Sequence, residues 1–461
     1  MRSGLYAALP IFAQNAVCTA AGYRRYRSRF NAHYHETLGE WRESFDWPEE
    51  RLRDLQRRRL DRVVRRAREH VPYYRDLEPP SDARDPAEAI RRTLASVPPL
   101  EKRAYRDDPA AFFARDVPRQ RLQRGRTSGT TGTALPLYYT QEGLAEEYAT
   151  VWRMRSSCGL TPLDPNLTFT GSIIVPFGQM FPPFWRTNAH SGQHLFSIYH
   201  MTPANLRTYV DAIHEIPARY VQGYPSSIHL VARALLGEGR PLPPGRLEAV
   251  FTSSESLLAF QRETIEKAFG APVRDRYGVS GCDVSMTECP EQRLHVDMEF
   301  CIVEVEPVEE TGESVTGPLL ITGLAHHATP LIRYRIGDVG TRSKEPCPCG
   351  RAGDVFLNVD GRIDDYVLTP DGRPVGRLDH VFKEQYDVDE AQILQDEPGS
   401  IEVLIIPRET YTEVSQRRLM KEIRSRLGEE IEIRIRTVNW IPREPNGKFR
   451  AVKSSIGRVH P

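Results

Sequence analysis

Between residues 142 and 277 the chain alternates stretches of helical and strand pattern, and this alternation constrains the fold more than any other feature. Apolar spacing predicts a helix over 142–158 and a strand over 167–171. Helices over 203–214, 226–237 and 258–269 then interleave with strands over 249–253 and 273–277. Strands that alternate with helices imply a mostly parallel sheet covered on both faces, with ligands collecting at the strands' carboxyl ends. Beyond residue 290 strands predominate (295–305, 318–323, 331–334, 366–368). The last hundred residues predict strands over 390–395, 401–406 and 431–438, a helix over 413–427 and a polar tail. The expected class is α/β: a large multi-layer α/β N-terminal domain followed by a smaller, mobile α+β module. A chain of 461 residues is long enough for both.

Ahead of the alternating region stands Arg124-Gly125-Arg126-Thr127-Ser128-Gly129-Thr130-Thr131-Gly132-Thr133, with three glycines and five hydroxyl side chains in ten residues. Glycine lets backbone N–H groups turn inward, and hydroxyls donate to phosphate oxygens, so the run reads as a phosphate-binding loop or as a flexible linker. It lacks the Gly-Lys-Ser/Thr ending of a Walker A loop. The β-forming run 135–140 behind it predicts a strand or hairpin.

Charge separates the function classes. With 62 basic and 62 acidic residues, the chain offers no net basic surface for nucleic acid or a membrane. The arginine-dense stretch from 24 to about 75, with Leu52, Leu55, Leu60, Val63 and Val64 at helical spacing, reads as helix with a solvated basic face. Leu5 to Tyr23 is mildly apolar but contains Pro10, Gln14 and Asn15, which predicts a packed helix and no membrane span. Asp85 before Pro86 predicts an N-cap for a short helix over 86–95. Seven cysteines, odd in number and scattered, point to a reducing, cytoplasmic setting. Four candidate ligands fall in two short pairs, Cys289 with His295 and Cys347 with Cys349. Three thiolates and an imidazole make a closed tetrahedral zinc site with a stapling role; the competing reading is two turns with free thiols. Cys282 and Cys301 read as non-ligands, Cys18 and Cys158 as core.

Several motifs now stand in a fixed order. After the 124–133 loop come Gly223-Tyr224-Pro225-Ser226, then Ser253-Ser254-Glu255, then Asp275-Arg276-Tyr277-Gly278. Arg333-Tyr334 with Gly337-Asp338, Gly361-Arg362-Ile363-Asp364 and Gly447-Lys448 follow. Together they resemble the adenylate-forming superfamily of acyl-CoA synthetases and related ligases, in its phenylacetate–CoA ligase and CapK-like branch, over nearly the whole chain. The resemblance implies ATP-dependent formation of an acyl-adenylate from an aromatic or otherwise compact carboxylic acid, followed by transfer to CoA or to an amine. It implies an adenylation domain over 1–361 and a lid domain over 362–461, hinged at Asp364. It places ATP/AMP on Thr127, Ser128, Gly129, Thr131 and Gly132, with Thr130, Arg362 and Lys448 catalytic. Ser254, Glu255, Tyr277, Gly278, Arg333 and Asp338 also serve the nucleotide, and Gly223, Tyr224 and Ser253 border the acid pocket.

The chemistry is coherent without the resemblance. Joining a carboxylate to a phosphate brings two anions together, so such a site needs donors, a mobile cation such as Lys448 and an acceptor such as Asp338 for ribose hydroxyls. Tyr277 reads as an adenine-stacking ring or a core tyrosine. Two departures stand out. Gly281 occupies the place of the family's magnesium-binding glutamate, leaving Asp283 to substitute or Mg²⁺ to be held by ATP phosphates and water. Ala134 and Leu135 stand where many members carry a lysine. A nucleotide-binding protein without turnover is the rival reading, and the oligomeric state stays open.

Overall fold

The computed structural model describes residues 3–126, 136–279, 281–362, 367–370, 374–375, 378, 387–444 and 449–456. Among these, thirteen strands form one sheet. Its centre is parallel, as the alternation predicts: Asn166–Thr170 lies between Gln193–Ser197 and Tyr220–Gly223, and Ala249–Ser253 and Val273–Val279 continue in the same direction. From Val284–Glu288 onward the pairing turns antiparallel, through Leu294–Val296, Val355–Arg362, Tyr334–Ser343, Ser314–Gly323 and Cys301–Val305. Strand Val355–Arg362 sets Arg362 opposite Asp338, so the large sheet reaches one residue past the expected boundary.

The helices form where the sequence marks them. Glu49–His70 buries Leu52, Gln56, Leu60, Val63, Val64 and Ala67 on one stripe, while Arg53 and Arg59 pair inward with Asp354 and Glu146 and Arg58 faces solvent. Pro86–Ala95 begins at Asp85, whose carboxylate accepts the Glu88 N–H at 2.7 Å. One core joins the N-terminal helices to the sheet; a second fills its other face with Phe169, Val221, Val250, Ile265 and Val273. Near the C-terminus, Val388–Glu397 and Ser400–Pro407 pair antiparallel, flanked by Val452–Ser454 and Glu432–Thr437. The helix Glu413–Leu427 closes this separate core.

The structure departs from the sequence reading in several places. The polar tail contains a strand, Val452–Ser454, paired parallel with Val388–Glu397. The stretch 295–305 is two strands, because Asp297 and Glu299 turn inward between them and Phe300 N–H closes a turn on Asp297 at 2.8 Å. Residues 331–333 make a turn rather than a strand, with Arg333 at φ 50. The N-terminal segment splits at Pro10 into Ser3–Ala7 and Ile11–Arg29. Leu5 and Phe12 are each 76% exposed, so only part of this segment is packed. No helix among the described residues is long and apolar enough to cross a membrane.

Candidate active site

A cleft of about 1070 Å³ lies at the carboxyl ends of the parallel strands and runs back along one face of the sheet. Its rim gathers residues that the sequence scatters: Gly223 and Tyr224 after one strand, Ser253, Ser254 and Glu255 after the next, Tyr277 and Gly278 after the third. Gly223 has no substitute, since a β-carbon there would stand 2.1 Å from the Phe169 carbonyl oxygen on the neighbouring strand. Ser254 adopts φ 74, a conformation costing a non-glycine residue roughly 1–3 kcal/mol, which fits a strained turn at a working rim.

Asp338 reaches the same cleft from the antiparallel half. The Tyr277 hydroxyl donates to its Oδ2 at 2.6 Å, so ring and carboxylate are fixed as a unit. Glu255 does something the sequence does not reveal. Its two oxygens accept backbone N–H groups from Ser226 at 3.1 Å and from Phe449 at 2.7 Å, tying the strand end to the C-terminal segment. Burial holds its carboxyl above the ordinary value despite those donors. Deeper in, burial and the neighbouring Glu288 carboxylate push Asp275 up to about 7, while the Thr252 hydroxyl donates to it at 2.6 Å.

Two expected ligands point elsewhere. Arg333 does not line the cleft: its guanidinium donates to Glu304 at 3.0 Å and to the Val97 carbonyl at 2.7 Å, because the left-handed turn at this residue sends the side chain away. Asp283 accepts N–H groups from Ala325 at 3.0 Å and His326 at 2.6 Å and sits 3.0 Å from the His326 ring. Its carboxylate is therefore committed to structure and does not fit a magnesium ligand. Thr127, Ser128, Gly129, Thr130, Thr131, Gly132, Asp364 and Lys448 lie outside the described residues, as does the Arg362 side chain. Strands Gln123–Arg126 and Pro136–Tyr139, which flank the loop, pair antiparallel, in keeping with the expected hairpin.

Other cleft residues escaped the sequence reading. Arg155 and Arg276 line it, with Asn166, Thr168 and Gln222. The available signal was the polar alternation Asn166, Thr168, Thr170 within a strand otherwise read as buried. Burial holds Arg155 below the ordinary arginine value.

The metal candidates converge. Cys289, His295, Cys347 and Cys349 bring one ligand atom each within 4.8 Å of one another, with Cys289 and Cys347 sulfurs 3.7 Å apart and Cys349 sulfur 3.3 Å from His295 Nε2. Burial drives His295 down to about 4, which keeps the imidazole neutral, and pushes the Cys347 thiol up to about 12. A divalent cation would reverse the second shift by binding thiolates, and the spacing suits tetrahedral zinc. Cys18, Cys282 and Cys301 are buried apart from this group, as expected, whereas Cys158 is only half-buried rather than core.

Residues 367–455 match a family model described as the CapK C-terminal domain. Over 465 residues the chain is 25% identical to Protein CapK of Staphylococcus aureus, covering 99% of this chain and 100% of that protein. The similarity to CapK runs along the whole chain. It is also 25% identical over 447 residues to the phenylacetate-coenzyme A ligase of Thermus thermophilus, covering 88% of this chain and 97% of that one. Among solved structures, 2-hydroxyisobutyryl-CoA ligase in a postadenylation state superimposes with a TM-score of 0.66 at 20% identity, covering 89% of this chain and 90% of that chain. The chain therefore shares the fold of that ligase.

Proposed function

We propose that the chain is an ATP-dependent, AMP-forming ligase that activates an aromatic or otherwise compact carboxylic acid as its adenylate and passes the acyl group to an acceptor. The observation that carries this reading is the Tyr277–Asp338 pair, fixed at 2.6 Å on the rim formed by Gly223, Ser253 and Gly278. Asp338 is suited to accept ribose hydroxyls and the Tyr277 ring to meet adenine. In this reading Lys448 supplies the cation that draws acid and α-phosphate together, Arg362 and Thr130 share the catalytic role, and residues 127–132 serve the phosphates. Mg²⁺ would be held by ATP phosphates and water, since Gly281 has no side chain and Asp283 is engaged by His326. CoA is the acceptor named for the ligase relatives; an amine is the alternative for a CapK homologue. Residues 1–361 act as the adenylation domain and 362–461 as a lid hinged at Asp364. A cytoplasmic setting belongs to this reading, from the odd number and scattered positions of the seven cysteines. Zinc on Cys289, His295, Cys347 and Cys349 would be structural, because four protein ligands leave no open position.

The test is ATP–pyrophosphate exchange with Mg²⁺ over aryl and short-chain acids, without acceptor. Acid-dependent exchange that falls by roughly 100-fold or more in Lys448→Ala is the expected result. Nucleotide binding without exchange for any acid would support the rival reading of a protein without turnover. Mass detection of a CoA thioester against an amide decides the acceptor.

A further inference from the structure

The parallel strands present two unlike faces. One carries Leu167, Phe169, Val221, Val250 and Val273, all buried in an apolar core. The other carries Asn166, Thr168, Gln222 and Arg276, although a helix-covered face of a parallel sheet is ordinarily apolar. The inner part of the cleft lies along this polar face. The helix Gln141–Ser157 contributes Tyr148, Trp152 and Arg155 to it, and the helix Ile11–Arg29 contributes Arg25 and Arg29.

A directed set of hydrogen bonds organises the chamber. Arg155 donates to Gln222 Oε1 at 2.6 Å, Gln222 donates to Thr168 at 2.9 Å, and Thr168 donates to Asn166 at 2.8 Å. The Arg155 guanidinium stands 5.1 Å from the Trp152 ring, 5.1 Å from Phe251 and 5.4 Å from Tyr220, and its Nε is buried with no hydrogen-bond partner. Arg276 reaches two hydroxyls, those of Ser285 at 3.2 Å and Thr150 at 3.4 Å. Among the described residues, neither Arg155, Arg276, Arg29 nor Arg25 pairs with a carboxylate; Arg29 instead lies 4.3 Å over the Tyr148 ring. The partly buried Arg155 guanidinium, with a buried unpartnered Nε and no counter-charge, is unfavourable, and an anion entering between it and Arg276 relieves this.

We propose that this chamber receives the far end of the acid substrate and that this end bears a second anionic group, a carboxylate or a phosphate, held by Arg155 and Arg276. The proposal rests on the reading that the chain activates a carboxylate at the strand ends, because it is the same cleft that joins the two places. The faces of Tyr148, Trp152 and Phe251 accept a short, flat carbon frame between them.

The experiment uses the full chain and acids paired by shape: glutarate against valerate, terephthalate against 4-methylbenzoate, with 3-phosphoglycerate as the phosphate arm. In ATP–pyrophosphate exchange, the dianionic member of a pair is expected to have a KM lower by about tenfold or more, as for a charge-assisted contact. Arg155→Gln is expected to erase that preference, bringing the ratio of the two KM values in each pair to about one. If that variant does not fold, Arg276→Gln carries the same test. Exchange that is intact but indifferent to the second charge overturns the chamber and spares the ligase reading. A rise in Tm with dianions alone, lost in Arg155→Gln, without exchange for any acid, supports the chamber and sinks the ligase reading. A Tm rise with ATP alone that is lost in Arg155→Gln assigns the arginines to nucleotide phosphates and overturns the proposal, as does the absence of both exchange and any dianion-dependent shift.

Discussion

Asp283 shows how one side chain changes meaning once its neighbours are known. Next to the Tyr277-Gly278 turn it reads as a magnesium ligand, yet it holds the 325–326 turn and faces His326 in the core. Burial alone would lower His326, but the Asp283 carboxylate outweighs it, with Glu147 and Glu146 adding to the effect, and the ring is held above its ordinary 6.5. A group raised in the folded state contributes stability that is complete below its unfolded value and is lost as pH climbs through the folded one. Asp283 is lowered in turn, so its contribution disappears as pH falls below its ordinary 3.8. The expected outcome is a Tm that is greatest between these values and declines as pH rises beyond 6.5. Asp283→Asn should flatten the alkaline side of that profile, measured by thermal denaturation across pH. Gly223, by contrast, was legible as a special position from its motif, while the Phe169 carbonyl that forbids a side chain there was not.

Among the elements, the helix Gln141–Ser157 was placed within one residue by its pattern, but not its principal attachment. Arg153 on that helix donates to Glu299 at 2.5 Å and also to Asp297, all three buried, and Ser44 joins the same group from the N-terminal region. The two carboxylates belong to the 297–300 turn that broke the expected 295–305 strand, so one network explains both the break and the docking. Replacing the cation leaves two buried charges unmatched, and Arg153→Met should destabilise the protein by about 3–5 kcal/mol in urea denaturation. A substitution at solvent-exposed Arg103, paired with Asp107 one turn on, should change stability by less than about 0.5 kcal/mol.

Across the whole molecule, distant loops are joined where chain order gives little guide. Cys289 and His295 meet Cys347 and Cys349, bringing the 289–295 segment to the 347–349 turn at one end of adjoining strands in the large sheet. Metal analysis is expected to find about one zinc per chain, and chelation or Cys347→Ser should lower the Tm by at least about 5 °C, since metal binding at a closed four-ligand site is generally coupled to folding. A protein without bound zinc whose Tm ignores chelators would reduce the group to free thiols. The C-terminal unit docks through comparable long-range contacts: Arg233 to Asp389 at 2.5 Å and the Phe449 N–H to Glu255. What residue order alone settled was local and periodic: the parallel alternation, the helix starts, the motif turns and the class of chemistry they imply. Those follow from backbone preferences and apolar spacing within a few residues. Tertiary structure decided which carboxylates are committed to the core, that Arg333 turns away from the cleft, that Glu255 bridges to the C-terminal segment, and that one sheet face lines the cleft with polar side chains. Each of those depends on which distant group fills the space opposite a side chain, and no local pattern encodes that.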